Sequence, residues 1–181
     1  MFPAVKLAIP GSSLVLLIGP AGCGKSTFAK KHFKPTQVVS SDFCRALVSD
    51  DEGDQSASAA AFEVLHLIAA KRLSAGRLTV IDATNVQKRS RGTLLSLART
   101  YHRPAVAIVF NLPVEVCIEQ DRKRTPRRVG AEVIRKQAHD LQRALPGLEK
   151  EGISRVYILS SAAQAASANR TPPRVRARIR A

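Results

Sequence analysis

Eight consecutive residues near the start of the 181-residue chain form a phosphate-binding loop. They read Gly19-Pro20-Ala21-Gly22-Cys23-Gly24-Lys25-Ser26 and match the pattern G-x-x-x-x-G-K-[ST] at every fixed position. Glycines let backbone N–H groups turn towards a polyphosphate, whose negative charge the N-terminus of the following helix favours. We expect Lys25 to reach the β- and γ-phosphates of an NTP and Ser26 to ligate Mg²⁺. The predicted nucleotide-binding residues of the loop are Gly19, Gly22, Cys23, Gly24, Lys25, Ser26 and Thr27.

A carboxylate and a guanidinium follow the next predicted strand, at Asp42 and Arg45. If residues 42–48 are helical, these side chains are three positions apart and share a face. Asp42 could then accept the proton of an attacking hydroxyl, and Arg45 could hold a phosphate of the acceptor. A helix cap with a local ion pair is the alternative, because Asp is a favoured N-cap residue. The phosphate-binding loop nearby favours the catalytic interpretation.

A third candidate is Asp82, which ends the apolar run at 78–82. An apolar strand ending in Asp is typical of the element that holds Mg²⁺ in P-loop enzymes, so we predict a metal site at Ser26 and Asp82. Asp82 could instead orient an active-site arginine or start a turn. Asn85 could bond either to a nucleotide or to the backbone, and Phe43 could stack on a base or pack on a helix.

Residues 122–128, here called the basic segment, contain five Lys or Arg side chains in seven positions. Their place between two predicted helices matches the lid of a small kinase, where arginines cover the triphosphate and exclude water. Four of the five are Arg, whose forked donors suit phosphate oxygens. A solvated basic loop is the alternative.

Alternating strand and helix patterns must position these groups. Strands are predicted at 14–19, 36–40, 78–82, 105–111 and 155–159, and helices at 25–34, 57–73, 88–101, 113–122 and 129–145. This order predicts an α/β P-loop kinase fold, a five-stranded parallel sheet with helices on both faces and an arginine-rich lid. Such sheets bind ligands at the carboxyl ends of their strands, which is where the candidate side chains fall.

Composition narrows the choice of partners and compartment. The chain has 29 Lys and Arg against 14 Asp and Glu, and its net charge of +15 favours nucleic acid, acidic lipid or an acidic protein surface as a partner. Three separated cysteines show neither zinc nor disulfide spacing, so we expect a reducing cytoplasm. No stretch approaches the length of a membrane span. We predict one domain over 1–161 and a flexible basic tail or linker over 162–181.

Beyond these motifs, the chain resembles the kinase domain of the bacterial RNA-repair polynucleotide kinase-phosphatase-ligases over about residues 11–159. Three segments are more specific to this family than the phosphate-binding loop, which many kinases share. They are S-D-F-C-R at 41–45, D-A-T-N at 82–85 and the basic segment. Further similar runs lie at 24–33, 40–55, 61–73, 78–86, 109–113, 133–137 and 147–159.

The resemblance implies a 5′-hydroxyl polynucleotide kinase that uses ATP or another NTP with Mg²⁺. It implies that Asp42 is the general base, that Arg45 contacts the 3′-phosphate of the acceptor, and that Arg124 and Arg127 contact the donor phosphates. The implied partners are a single-stranded 5′-OH end of RNA or DNA and, in a longer polypeptide, phosphatase and ligase domains. Gln120 stands where another basic lid residue is expected, and Pro20-Ala21 makes the front of the loop stiffer than in the family.

The sequence is also compatible with two other functions. A small-molecule kinase of the gluconate or shikimate type would have a similar phosphate-binding loop, although the net charge and Arg45 argue against it. An NTP-dependent nucleic-acid-binding module without transfer would have no use for a base at Asp42.

Overall fold

The computed structural model describes residues 5–124 and 128–171. The strands are β1 (Lys6–Ala8), β2 (Leu14–Ile18), β3 (Val38–Ser40), β4 (Thr79–Asp82), β5 (Ala105–Phe110), β6 (Arg155–Leu159) and β7 (Asn169–Thr171). The helices are α1 (Lys25–His32), α2 (Ser41–Ser49), α3 (Ser58–Ser74), α4 (Lys88–Thr100), α5 (Val114–Arg122), α6 (Ala131–Ala144) and α7 (Ala162–Ser167).

Within these described ranges, five strands form the main sheet in the order β3-β4-β2-β5-β6, and all neighbours are parallel. The order places β2 at the centre, with β3 and β4 on one side and β5 and β6 on the other. A ligand site is expected where the strand order reverses, beyond the carboxyl end of the central strand. The phosphate-binding loop starts there, at Gly19.

The core lies on both faces of the sheet, because β2 is buried along its whole length and alternates its side chains. Leu14, Leu16 and Ile18 pack with α3 and α4 on one face. Val15 and Leu17 pack with α1 and α5 on the other. The predicted layering of helices on both faces is therefore confirmed.

The predicted elements differ from the structure mainly near the chain ends. The five predicted strands of the main sheet are present, and the helical turn expected at 42–48 is a nine-residue helix, Ser41–Ser49. Sequence reasoning missed β1, which is too short to show a period.

Within the predicted tail over 162–181, residues 162–171 contain α7 and β7, and β7 pairs in parallel with β1. The rest of the predicted tail lies outside the described residues. No helix of the described residues is long and apolar enough to cross a membrane.

Candidate functional site

The phosphate-binding loop connects β2 to α1 and is joined to the loop after β4. The Gly19 N–H donates to the carbonyl of Thr84 at 2.9 Å, which continues the β2–β4 pairing past the strand ends. The Asn85 side-chain amide donates to the carbonyl of Leu17 at 2.9 Å. Of the two partners considered for Asn85, the structure therefore shows the backbone. This loop-to-loop bonding holds the two phosphate-side loops at a fixed spacing.

Two loop glycines meet specific steric demands. Gly22 has φ +76°, and a Cβ there would lie 2.1 Å from the carbonyl oxygen of Cys117 in α5, so no larger residue fits. Gly24 has φ +90° and is the N-cap of α1, with open space where a Cβ would project. No side chain of the described residues caps α1, which leaves its first N–H groups available to bind a phosphate.

Lys25 is buried and its ammonium lies against the loop itself. Nζ donates to the carbonyl oxygens of Gly19 at 2.9 Å and Pro20 at 2.6 Å. Only 7% of the residue is exposed, so its charge is held within the loop rather than in solvent. A buried lysine at this position can neutralise phosphate charge in a medium that screens it weakly.

Asp82 is at the end of β4 with 7% of its surface exposed, and burial raises the pKa of its carboxyl above the ordinary value. The nearby negative charge of Asp42 raises that pKa further, whereas a hydrogen bond from Ser26 and the charges of Lys25 and Arg124 lower it. All five side chains line one cavity, so the structure brings together groups from separate strand ends.

A magnesium ion fits the donor set around Asp82. Residues 5–124 and 128–171 contain no cluster of three or more His, Cys, Asp or Glu side chains that could hold a metal. Mg²⁺ does not need such a cage, since it usually keeps several waters and takes one or two carboxylates plus phosphate oxygens. Ser26 and Asp82 are the residues that would hold it.

Asp42 and Arg45 lie on the same face of α2 and form an ion pair between Oδ1 and Nη2. The Arg45 side chain is 6% exposed, and its Nε donates to the carbonyl of Glu52 at 2.8 Å. The Asp42 side chain is 43% exposed. The N-cap of α2 is Ser40, which accepts from the Phe43 N–H, so Asp42 is not the cap that the alternative interpretation required.

A cavity of about 470 Å³, here called the loop cavity, joins these groups. The loop contributes Lys25 and Ser26, α2 contributes Asp42 and Arg45, and the end of β4 contributes Asp82. Arg124 and Arg128 of the basic segment also line it. Arg127, the other predicted donor contact, lies outside the described residues.

Two further side chains shape the cavity and were missed from the sequence. The carboxylate of Asp121 in α5 is 2% exposed and accepts from the Val129 and Gly130 N–H groups, each at 3.0 Å. Gln137 of α6 lines the cavity and accepts from the Ala21 N–H at 2.8 Å. The Gln137 bond joins residues 116 apart, and the Asp121 bonds cross from the end of α5 to the start of α6, so no single element's pattern predicts them.

Behind the loop after β4, Arg91 of α4 is fully buried. Its guanidinium donates two bonds to the Glu151 carboxylate, at 2.8 and 2.6 Å, and one to the carbonyl of Asn85 at 2.7 Å. The pair therefore supports the Asp82–Asn85 turn from the side away from the cavity. Arg91 and Glu151 are 60 residues apart in sequence, and the sequence analysis gave Arg91 no role.

Comparison with known proteins places this geometry in a family. A family model described as an AAA domain, AAA_33, matches residues 14–148, which is most of the chain. The chain belongs to the AAA_33 family. The match runs from the central strand through the phosphate-binding loop, α2 and the basic segment, so it covers the whole loop cavity.

Several known proteins are similar to this AAA_33 domain. A chain in a structure titled as the Pnkp1/Rnl/Hen1 RNA repair complex is 26% identical with a TM-score of 0.62, and the alignment covers 77% of this chain and 46% of that one. A gluconokinase from Sinorhizobium meliloti 1021 has 14% identity and a TM-score of 0.53 over 87% of each chain, and it shows the fold alone. The Arabidopsis thaliana transcription factor bHLH140 is 30% identical over 112 residues, which are 62% of this chain and 12% of that protein.

The matched domain has the P-loop kinase fold, as predicted, and this family implies nucleotide binding. Its kinase-like fold is typical of phosphotransferases. The chain spans less than half of the RNA repair chain and a small part of the Arabidopsis protein.

We expect Asp82→Asn to stabilise the metal-free AAA_33 domain at neutral pH. Folding raises the pKa of this carboxyl through burial, so the native state disfavours the ionised form that predominates at neutral pH. An amide still accepts the bond from Ser26 and carries no charge. Urea unfolding in EDTA should therefore show a higher midpoint than wild type at pH 7.5. The difference should shrink as the pH falls through the raised folded-state pKa and should be absent below the ordinary Asp value of about 3.9. A lower midpoint at pH 7.5 would contradict the burial argument.

We expect Asp121→Ala to lower the free energy of unfolding of the AAA_33 domain by about 1–3 kcal/mol, because two part-buried N–H groups lose a charged acceptor. Denaturant unfolding measures this effect. Glu119→Ala on the same helix is the control, since its carboxylate is 55% exposed and its 3.3 Å pair with Lys123 lies at the surface. Equal stability of the two variants would show that the Asp121 bonds contribute nothing.

Proposed function

We propose that this protein is a polynucleotide 5′-hydroxyl kinase, which transfers the γ-phosphate of ATP or another NTP to the 5′-OH end of RNA or DNA. The observation that carries the proposal is the shared loop cavity. Lys25 and Ser26 of the phosphate-binding loop, the Asp42–Arg45 pair and the arginine at 124 all line it. A donor phosphate and an acceptor hydroxyl placed there would be neighbours.

The proposed reaction uses each group at a stated atom. The acceptor O5′ attacks the γ-phosphorus as the bond from that phosphorus to the β–γ bridging oxygen breaks, and the NDP leaves. The O5′ proton passes to the Asp42 carboxylate, which is exposed enough to meet an acceptor. Lys25 and Arg124 stabilise the charge on the transferring group. Ser26 and Asp82 would hold Mg²⁺, which when bound would supply positive charge at the donor phosphates.

The proposed acceptor is a nucleic acid because of the charges around Asp42. Arg45 has a buried guanidinium fixed by the Glu52 carbonyl and by Asp42, which suits the 3′-phosphate of an incoming nucleotide. The net charge of +15 attracts a polyanion. The similarity to a chain of an RNA repair complex supports the same class of acceptor. By the same resemblance we propose that phosphatase and ligase domains accompany this domain in RNA repair in the cytoplasm.

A substrate panel tests the proposal. The protein is incubated with γ-labelled ATP and Mg²⁺ and, in separate reactions, a 5′-OH oligonucleotide, gluconate or shikimate. We expect label on the oligonucleotide alone and none with Lys25→Met. Faster labelling of a small metabolite would overturn the polynucleotide assignment in favour of a small-molecule kinase. Tight nucleotide binding with no labelled product would indicate a binding module without transfer.

A further inference from the structure

A second cavity, here called the Phe43 cleft, meets the loop cavity at four side chains. It has a volume of about 940 Å³, twice that of the loop cavity, and lies between α1, α2 and the end of α5. The two spaces share Ser26, Asp42, Asp82 and Arg124. A ligand whose reacting end lies at Asp42 can therefore continue into the Phe43 cleft without a break.

The cleft presents an aromatic ring to solvent. Phe43 is 62% exposed, whereas Phe28, Phe33 and Phe110 are 5% exposed or less. Leaving a phenylalanine side chain in water forgoes most of the free energy that burial supplies. The apolar side chains of Phe33 and Val38 line the same cleft.

The cleft also carries the charges that a nucleic acid backbone requires. Lys30 of α1 and Lys123 line it together with Arg124, against the acids Asp42, Glu52 and Asp82. Lys123 pairs with Glu119 at 3.3 Å, but both side chains are more than half exposed, so the pair is weak and easily exchanged for a phosphate. An exposed aromatic ring beside basic side chains is the arrangement that binds single strands without regard to sequence.

We propose that the Phe43 cleft binds the second nucleotide of a single-stranded acceptor, with its base stacked on Phe43 and its own 3′-phosphate near Lys30 and Lys123. This inference rests on the proposed kinase function and assigns a path to its substrate. Phe43 follows Asp42 in α2 and both side chains line the cleft, so a strand with its 5′-hydroxyl at the Asp42 carboxylate can place its next base on that ring. Stacking on a ring is tolerant of base identity, so the site selects strand length rather than sequence.

Acceptors that differ by one base test the inference. The series is a nucleoside 3′-monophosphate, a dinucleotide, and the same dinucleotide with an abasic second position, all with a free 5′-OH. For wild type we expect kcat/KM to be about 5- to 150-fold higher for the dinucleotide than for either other acceptor. Phe43→Ala should remove this ratio and Phe43→Trp should keep it.

Leu47→Ala is the matched control, because Leu47 is 57% exposed on the same helix and lies outside the cleft lining. It should keep the dinucleotide ratio of wild type. If Phe43→Ala keeps the dinucleotide ratio of wild type, the assignment of this cleft to the acceptor is wrong. It is also wrong if Phe43→Ala keeps that ratio and instead raises the KM for ATP.

Equilibrium binding separates this inference from the proposed function. Fluorescence anisotropy of a 3′-labelled 5′-OH hexanucleotide measures affinity whether or not a phosphate is transferred. If wild type transfers no phosphate but Phe43→Ala binds the oligonucleotide more weakly than Leu47→Ala does, the kinase function is refuted and the cleft assignment is kept. Transfer by wild type with equal binding by both variants would refute the cleft and keep the kinase.

Discussion

Replacing Asp42 with asparagine is expected to lower the rate of phosphate transfer by about 10²–10⁴-fold while nucleotide binding persists. An amide cannot accept the proton of the attacking hydroxyl, but it keeps the size of the side chain and an oxygen for Arg45, which is buried and would lose a partner in an alanine variant. Single-turnover transfer at saturating ATP and oligonucleotide measures the chemical step, and equilibrium dialysis measures nucleotide binding.

Asp50→Asn is the control for this prediction. Asp50 ends the same helix in a left-handed conformation with φ 59°, which asparagine adopts readily, and it is exposed. Its rate should stay close to that of wild type. If Asp42→Asn transfers as fast as Asp50→Asn, another group removes the proton and the proposed role of Asp42 is wrong.

Removing the guanidinium of Arg124 is expected to have an effect at least as large. Arg124 lines both cavities and its charge acts on Asp82, so it lies where charge on a transferring phosphate would develop. Arginines in this position contribute about 10³–10⁵ in kcat. We therefore expect Arg124→Ala to lose a rate factor of this order, with partial recovery in Arg124→Lys, whose point charge lacks the fork.

Arg122→Ala tests whether general positive charge explains the loss. Arg122 lies two residues away with its side chain 70% exposed and 4.0 Å from Glu119, outside the linings of both cavities. Its rate should stay within a few-fold of wild type, and a lower salt concentration should compensate any loss of affinity. Equal losses in the two variants would mean that the basic segment acts only by attracting the substrate.

The part of the site that follows strand ends could be predicted from the sequence. Lys25 and Ser26 belong to a contiguous motif, Asp82 ends β4, and Asp42 comes two residues after β3. The rule that parallel strands end at one edge is enough to bring these four together. The same rule explains why the fold class was predicted correctly, since strand and helix patterns alternate along most of the chain.

The groups that support the site could not be predicted in this way. Arg91 reaches Glu151, Asp121 reaches Val129, and Gln137 reaches the front of the phosphate-binding loop. Each bond depends on how two separate helices or loops pack against each other. The sequence around a buried arginine also looks the same as the sequence around a solvated one. The exposure of Phe43 was likewise open, because a helix sequence does not show which face lacks a neighbour.

The pairing of β1 with β7 has a consequence for how this domain is tethered. Lys31 and Arg170 bond this end of the chain to the carboxyl end of α1, through the carbonyls of Ala166 and His32. Since α1 starts at the phosphate-binding loop and its eight residues span roughly 12 Å, these bonds lie about one helix length from the loop cavity. The first and last described strands are therefore held together at one place, away from that cavity. A circular permutant that links Thr171 to Lys6 through a short glycine–serine bridge should fold and keep its nucleotide affinity.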